Sequence, residues 1–281
     1  MLCRFFFIVK LHGMIGWILL IVVITLVALF IFWPRHKKVK PMPLAWQQLL
    51  QQHVLFYRQL NTADQKLFQK RVMIFLQYVH IHPVKTTLTD VDTILIASSA
   101  IIPIWGFPNW HYYNLQHILL YPNAFEEKTF QLEGLNRDVL GMVGTGTLNQ
   151  MMILSQQSLR EGFMNEHSKS NTAIHEFVHL LDKADGTTDG IPENLLEKPY
   201  VLPWVQLMHQ TIQEMQDGKS DINIYGATNP AEFLAVVSEY FFSQPHLLAE
   251  HHPQLYRMLE KIFHQHPAQM PKPAAVSTGT N

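Results

Sequence analysis

Two histidines four residues apart, with a glutamate beside the first, stand out as the residues able to do chemistry: His175-Glu176-Phe177-Val178-His179. On an α-helix, side chains four apart sit one turn above the other, about 40° apart around the axis. Two imidazoles so placed can reach one metal ion, and neutral imidazole nitrogens bind Zn²⁺ at roughly 2.0–2.1 Å. The carboxylate of Glu176 points about 100° away. That is too far round to share the ion, but it suits removal of a proton from a water beside it. This is the H-E-x-x-H arrangement of zinc metallopeptidases, with Glu176 as general base. The pattern leaves three positions open, so a helix with two surface histidines also fits it in a chain holding 16 histidines.

A catalytic zinc needs a third protein ligand and a position left open for water. Asp185 lies six residues after His179, a spacing at which some zinc peptidases place that ligand. Those enzymes turn sharply at a glycine three residues after the second histidine, where this chain has Asp182. Without the glycine the turn is strained for an L-residue, which counts against Asp185. Asp182 itself can accept a hydrogen bond from a ligating imidazole or lie on a solvated face. The other source is a later helix, Asn229 to Phe242 (NPAEFLAVVSEYFF), whose Glu232 and Glu239 are seven apart and share a face. Asn229 is a good N-cap, Pro230 fits the first helical position, and Glu232 falls where a capping-box carboxylate sits. Residue chemistry alone leaves the two glutamates equal as ligands.

The elements that must position these groups follow from the hydrophobic pattern. From Trp46 to Leu60 the apolar residues 46, 49, 50, 54 and 57 form one amphipathic helical stripe. Thr62-Ala63-Asp64 opens a second helix with Leu67, Val72, Phe75, Leu76 and Val79 in register. The stretch from Asp92 to Trp105 is apolar without a clean period, so helix and buried strand are both open there. Ile118-Leu119-Leu120-Tyr121 and Met151 to Ser155 read as short buried strands. The glycine-rich run from Gly141 to Thr147 lacks the phosphate-loop spacing and reads as a turn. A strand, a polar loop with Gly162 and then the metal helix is the basic zincin order, in which a sheet edge pairs with an extended substrate.

Composition narrows the class. With 21 Lys and Arg against 22 Asp and Glu, the formal charge of −1 speaks against a nucleic-acid-binding surface. Cys3 is the only cysteine, so neither an internal disulfide nor a cysteine–zinc site can form. Residues 14–33 (MIGWILLIVVITLVALFIFW) carry no charge. A helix of that length spans about 30 Å, enough to cross the hydrocarbon of a bilayer. Trp17 and Trp33 sit at its ends, and Arg35, Lys37, Lys38 and Lys40 follow it, against Arg4 and Lys10 before it. The positive-inside rule then puts the downstream domain on the cytoplasmic side of the membrane. With Met14 as the start, the upstream charges vanish and this orientation strengthens. The expected layout is a segment 1–13, a membrane helix 14–33, a basic proline-bearing tether 34–45, a catalytic domain 46–270 and a disordered tail 271–281.

The combination HEFVHLLD (175–182) with YGATNPAEFLAVVSEYFFSQP (225–245) resembles the Mlc titration factor A family of zinc peptidases, over roughly Trp46 to Pro267. That resemblance implies a gluzincin-like α+β fold, helices with a small mixed sheet, and one zinc per chain. It implies Glu232 as the third ligand and Tyr225 beside the metal. It also implies aminopeptidase-type action on peptides, and in the founding member the sequestering of a glucose-responsive transcriptional repressor. In such a site Glu176 moves the proton, Tyr225 is a hydrogen-bond donor to the oxyanion, and Glu239 has a supporting place. The founding member is soluble, whereas this chain carries the apolar segment 14–33, and the match around residues 152–159 is loose. The rival reading is a membrane-tethered binding module that captures a regulator, with peptide hydrolysis secondary.

Overall fold

The computed structural model of the chain describes residues 21–28, 39–123 and 150–271. The segment 1–13, most of the apolar stretch 14–33, the start of the tether, the glycine-rich turn and nearly all of the tail lie outside the described residues. Residues 21–28 are helical, with Ile21, Val22, Val23, Ile24, Leu26 and Val27 exposed. Among the described residues no helix is long and apolar enough to cross a membrane.

From residue 40 onward the described chain forms one compact unit. The stripe expected as a single helix from Trp46 is two helices, α1 (Leu44–His53) and α2 (Leu55–Gln59), broken at Val54 with φ −114° and ψ 98°. Val54 and Phe56 are both buried. A straight helix would set them about 200° apart, on opposite faces, so the break brings both into the core. Helix α3 (Thr62–Tyr78) starts at Asn61, whose side chain accepts from the backbone N–H groups of Ala63 and Asp64. Its buried stripe is Phe68, Arg71, Val72 and Phe75, at 3- and 4-residue steps, whereas the expected Leu67 is exposed.

The ambiguous stretch after Asp92 is helical. Helix α4 (Asp90–Ile101) is opened by a capping box between Thr89 and Asp92. Ile94, Leu95, Ile96, Ala97, Ala100 and Ile101 are all buried, and a helix covered on every side has no polar stripe to reveal its period. The Asp92 carboxylate also accepts from Arg160 Nε at 2.7 Å and Gln156 Nε2 at 2.8 Å. Despite burial, the hydrogen bonds from Arg160, Thr89 and Gln156 hold it below the usual carboxylate range.

Three strands form the described sheet: β1 (His80–Pro83), β2 (His117–Tyr121) and β3 (Met151–Ser155), in the order β1-β2-β3. Both pairings are parallel, so the mixed sheet expected from the sequence is not what these strands form. Parallel neighbours need a crossover, and between β1 and β2 the chain makes α4. Ile118, Leu120, Met152 and Leu154 are buried, while His117, Leu119, Met151 and Ile153 keep partial exposure on the other face.

The segment after β3 is helix α5 (Gln156–Met164), not a polar loop; Ser155 Oγ accepts the Ser158 N–H at 3.1 Å and caps it. Its Gly162 allows close approach, since a Cβ there would lie 2.9 Å from Cγ of Asn171. Next come α6 (Thr172–Asp182), which carries H-E-x-x-H, and the long α7 (Lys198–Gln216). Helix α8 (Pro230–Ser243) is capped by Asn229 as expected and runs through the core, followed by α9 (Pro245–His251) and α10 (Pro253–Phe263). Helix α6 packs chiefly on α8. Phe177, on α6, meets Phe75 at a ring separation of 5.9 Å and Tyr112 at 5.2 Å. That apolar anchorage fixes the rotation of α6 about its axis and turns its histidines toward α8.

Candidate metal centre

The site starts at Asn171. Its side chain caps α6 by accepting the Ile174 N–H at 3.1 Å, and its amide donates to the carbonyl of Gly162 on α5 at 3.1 Å. Its own backbone N–H donates to Oε2 of Glu239 at 2.6 Å. One residue thus joins α5, α6 and α8 four positions before His175.

The structure brings His175, His179 and Glu232 together. Nε2 of His175 lies 3.0 Å from Nε2 of His179 and 3.0 Å from Oε2 of Glu232, which is 3.4 Å from Nε2 of His179. Two ligands of a tetrahedral ion with bonds of roughly 2.0–2.1 Å lie about 3.3 Å apart. The triangle therefore fits a single zinc to within a few tenths of an ångström. Two imidazoles and one carboxylate, with the side chains of His179 and Glu232 still partly exposed, make an open donor set of the catalytic kind.

Glu239 stands on the other side of His175, accepting its Nδ1–H through Oε1 at 2.7 Å. A single helix, α8, thus addresses both nitrogens of one ring, Glu232 at Nε2 and Glu239 at Nδ1. A buried carboxylate on the second nitrogen of a ligating histidine fixes its tautomer and raises its basicity. Residue chemistry alone left these two glutamates equal and the family resemblance favoured Glu232; their positions around His175 differ.

Charge in the cluster calls for a cation. Burial opposes protonation of His175, but hydrogen bonds to Glu232 and Glu239 outweigh it and push the imidazole up to about 10. Burial likewise opposes the charge of Glu232, and its bonds to His175 and His179 bring it down to about 2. Glu176 is 3 % exposed, and burial raises its carboxyl above the ordinary value against the pull of the two histidines. The Tyr225 ring, on the short 3₁₀ turn Ile224–Ala227, lies 6.1 Å from that of His175 and faces solvent at 42 % exposure.

The local alternatives fall away from this cluster. Asp185 accepts the N–H groups of Thr187 and Glu193 at 3.1 and 3.0 Å and organises the turn that Gly186 makes at φ 106°. Asp182 is fully buried rather than solvated, and its Oδ2 accepts the Gly190 N–H at 2.9 Å instead of an imidazole. Its Oδ1 has no hydrogen-bond partner among the described residues, and burial pushes the carboxyl up to about 6. Gly190 is a residue the sequence reading missed. At φ +75° its carbonyl accepts from Trp204 Nε1 at 2.7 Å, and a Cβ there would stand 2.2 Å from the carbonyl oxygen of Pro230. It lets the end of α6 and the start of α8 touch.

Comparison with known proteins agrees with this geometry. The family described as glucose-regulated metallo-peptidase M90 matches residues 30–264. The chain is 30% identical to Mlc titration factor A of Pectobacterium atrosepticum over 222 residues, covering 73% of this chain and 77% of that protein. It is 28% identical to Mlc titration factor A of Serratia proteamaculans over 255 residues, covering 84% and 92%. An uncharacterized protein of Synechocystis sp. is 28% identical over 236 residues, covering 80% and 85%. With both histidines, Glu176 and Glu232 inside the matched region, the chain belongs to the glucose-regulated metallo-peptidase M90 family, together with its Mlc titration factor A relatives.

Proposed function

We propose that the chain is a zinc-dependent peptidase of aminopeptidase type, tethered to the inner membrane by residues 14–33, with its catalytic domain on the cytoplasmic side. The observation that carries the peptidase reading is the triangle of His175, His179 and Glu232, at 3.0–3.4 Å, with Glu176 buried on the same helix. A zinc ion held by these three residues would supply a Lewis acid and bring the pKa of water at its open position toward neutrality. Glu176 takes the proton of the attacking water and passes it to the leaving amine; its raised pKa suits both halves of that transfer. Tyr225 carries a phenolic O–H, a hydrogen-bond donor. It donates a hydrogen bond to the developing oxyanion, a contact contributing about 3–4 kcal/mol. Glu239 holds the His175 ring.

Glu176→Gln tests this directly. Peptide hydrolysis should fall by about 100-fold or more, the scale of a lost general base, with zinc content unchanged. Full activity in that variant would remove Glu176 from its role. A second reading is favoured by the name of the relatives, Mlc titration factor A, a factor that titrates Mlc. Under it the domain binds a transcriptional regulator at the membrane and hydrolysis is secondary, so the same variant would keep all of its partner binding and biological effect. Twenty uncharged residues, with 21–28 helical and apolar side chains exposed, support the anchor. Removing residues 1–33 should move the protein from the membrane fraction to the soluble one. An unchanged distribution would refute the anchor.

A further inference from the structure

In a strand, residues two apart face the same side. His80 and His82 of β1 therefore share a face, and the parallel register sets His117 of β2 opposite His80 on that same face. The His82 and His117 rings are 5.1 Å apart and those of His80 and His117 5.9 Å. Nε2 of His82 lies 3.0 Å from Nδ1 of His117. His80 and His82 are exposed and His117 partly so.

We propose that these three histidines form a second metal site, distinct from the peptidase centre, which takes a divalent transition-metal ion that favours imidazole, zinc in the first instance. The 3.0 Å approach of two imidazole nitrogens recurs between His175 and His179. Both are close to the about 3.3 Å separation that two ligands of one tetrahedral ion require. Other clustered histidines are tied up by carboxylates: His251 and His252 by Asp221, and His266 by Glu260. Among the described residues the imidazoles of His80, His82 and His117 hydrogen-bond no carboxylate, so their nitrogens are available. Three imidazoles with an open fourth position are a donor set that suits zinc, copper and nickel.

The two sites differ in readiness. Among the described residues, only His175, His179 and Glu232 already hold three donor atoms within 4.8 Å of one another. At the sheet, His80 must turn about its side-chain torsions to bring a nitrogen onto the ion, a rapid motion for an exposed side chain. With that rearrangement, and with no carboxylate to offset the charge, the sheet site binds more weakly than the peptidase centre. An ion there ties β1 to β2 across the open face, and binding only the folded chain it raises stability.

The test uses the full chain without a histidine tag, stripped by chelator and re-equilibrated with zinc alone above neutral pH. Wild type should hold two zinc ions, His175→Ala one, His82→Ala/His117→Ala one, and the triple variant none. Zinc should raise the Tm of His175→Ala and leave that of the triple variant unmoved. Exposed His82 and partly exposed His117 lie outside the core, and circular dichroism checks that each variant folds. A single wild-type zinc that survives His82→Ala/His117→Ala overturns the proposal, as does a second zinc indifferent to those substitutions. Zinc retained at the sheet but never lost with His175→Ala would leave this site standing and sink the peptidase centre instead.

Discussion

Replacing Glu239 by glutamine separates a residue that holds a ligand from a residue that is one. In the structure Oε1 of Glu239 accepts from His175 Nδ1 at 2.7 Å and Oε2 accepts from the Asn171 N–H at 2.6 Å, both buried. Glutamine keeps the shape but offers only one acceptor, so its amide NH₂ meets one of two donors. An unsatisfied buried donor costs about 1–3 kcal/mol. Loss of the carboxylate behind a ligating imidazole costs about 10- to 100-fold in metal affinity, or roughly 1.4–2.8 kcal/mol. These are two views of one broken contact and are not added. Competition against a chromophoric chelator should give Glu239→Gln an intact peptidase-centre zinc bound about 10- to 100-fold more weakly, while Glu232→Ala, short of one donor, loses that zinc. If Glu239→Gln abolished the zinc and Glu232→Ala retained it, the assignment of the two carboxylates would be reversed and the argument from their positions refuted.

Metal retention should depend on pH. Because His175 sits up near 10, zinc must displace its proton, so affinity should rise about tenfold per pH unit through neutrality. A flat profile in competition titrations would oppose this. Gly190→Ala, forced to φ +75° and against Pro230, should cost at least about 1–2 kcal/mol in urea unfolding and weaken zinc binding, since Pro230 lies two residues before Glu232. Asp92→Asn should lose about 1.5–3 kcal/mol, the scale of hydrogen bonds to a charged group, toward the lower end because Arg160 is 40 % exposed. The depressed pKa of Asp92 makes its contribution present above the ordinary carboxylate range and lost as pH falls through its folded value, so wild type and variant should converge in acid.

Much of the centre was legible because its grammar is local. The four-residue spacing of His175 and His179 and the Asn229-Pro230 start of α8 are set by helical geometry and capping, and the structure has both. Residue chemistry alone did not separate Glu232 from Glu239, because residues seven apart share a face; the family resemblance pointed to Glu232, and the docking of α6 on α8 sets the two on different nitrogens of His175. Strand β1 escaped notice because His-Ile-His-Pro is only four residues long, with a single β-branched side chain and a proline. Helix α5 was hidden by Gly162, a residue kept for contact with Asn171 rather than for a turn. The stretch after Asp92 was ambiguous because full burial erases periodicity, although Thr89 and Asp92 spelled out a capping box. Asp182 was open between an imidazole partner and a solvated face, and it is neither, because nothing local foretells that Gly190 will fold back onto it.

That glycine also bears on how related sequences are to be read. Its N–H, its carbonyl and its missing side chain each engage a different helix: Asp182 of α6, Trp204 of α7 and Pro230 of α8. A descendant that kept H-E-x-x-H and Pro-Ala-Glu but replaced this glycine would preserve every ligand and alter the distance between them. A motif search would score it as intact. Divergence of activity within such a lineage can therefore begin at a position that touches no metal and no substrate.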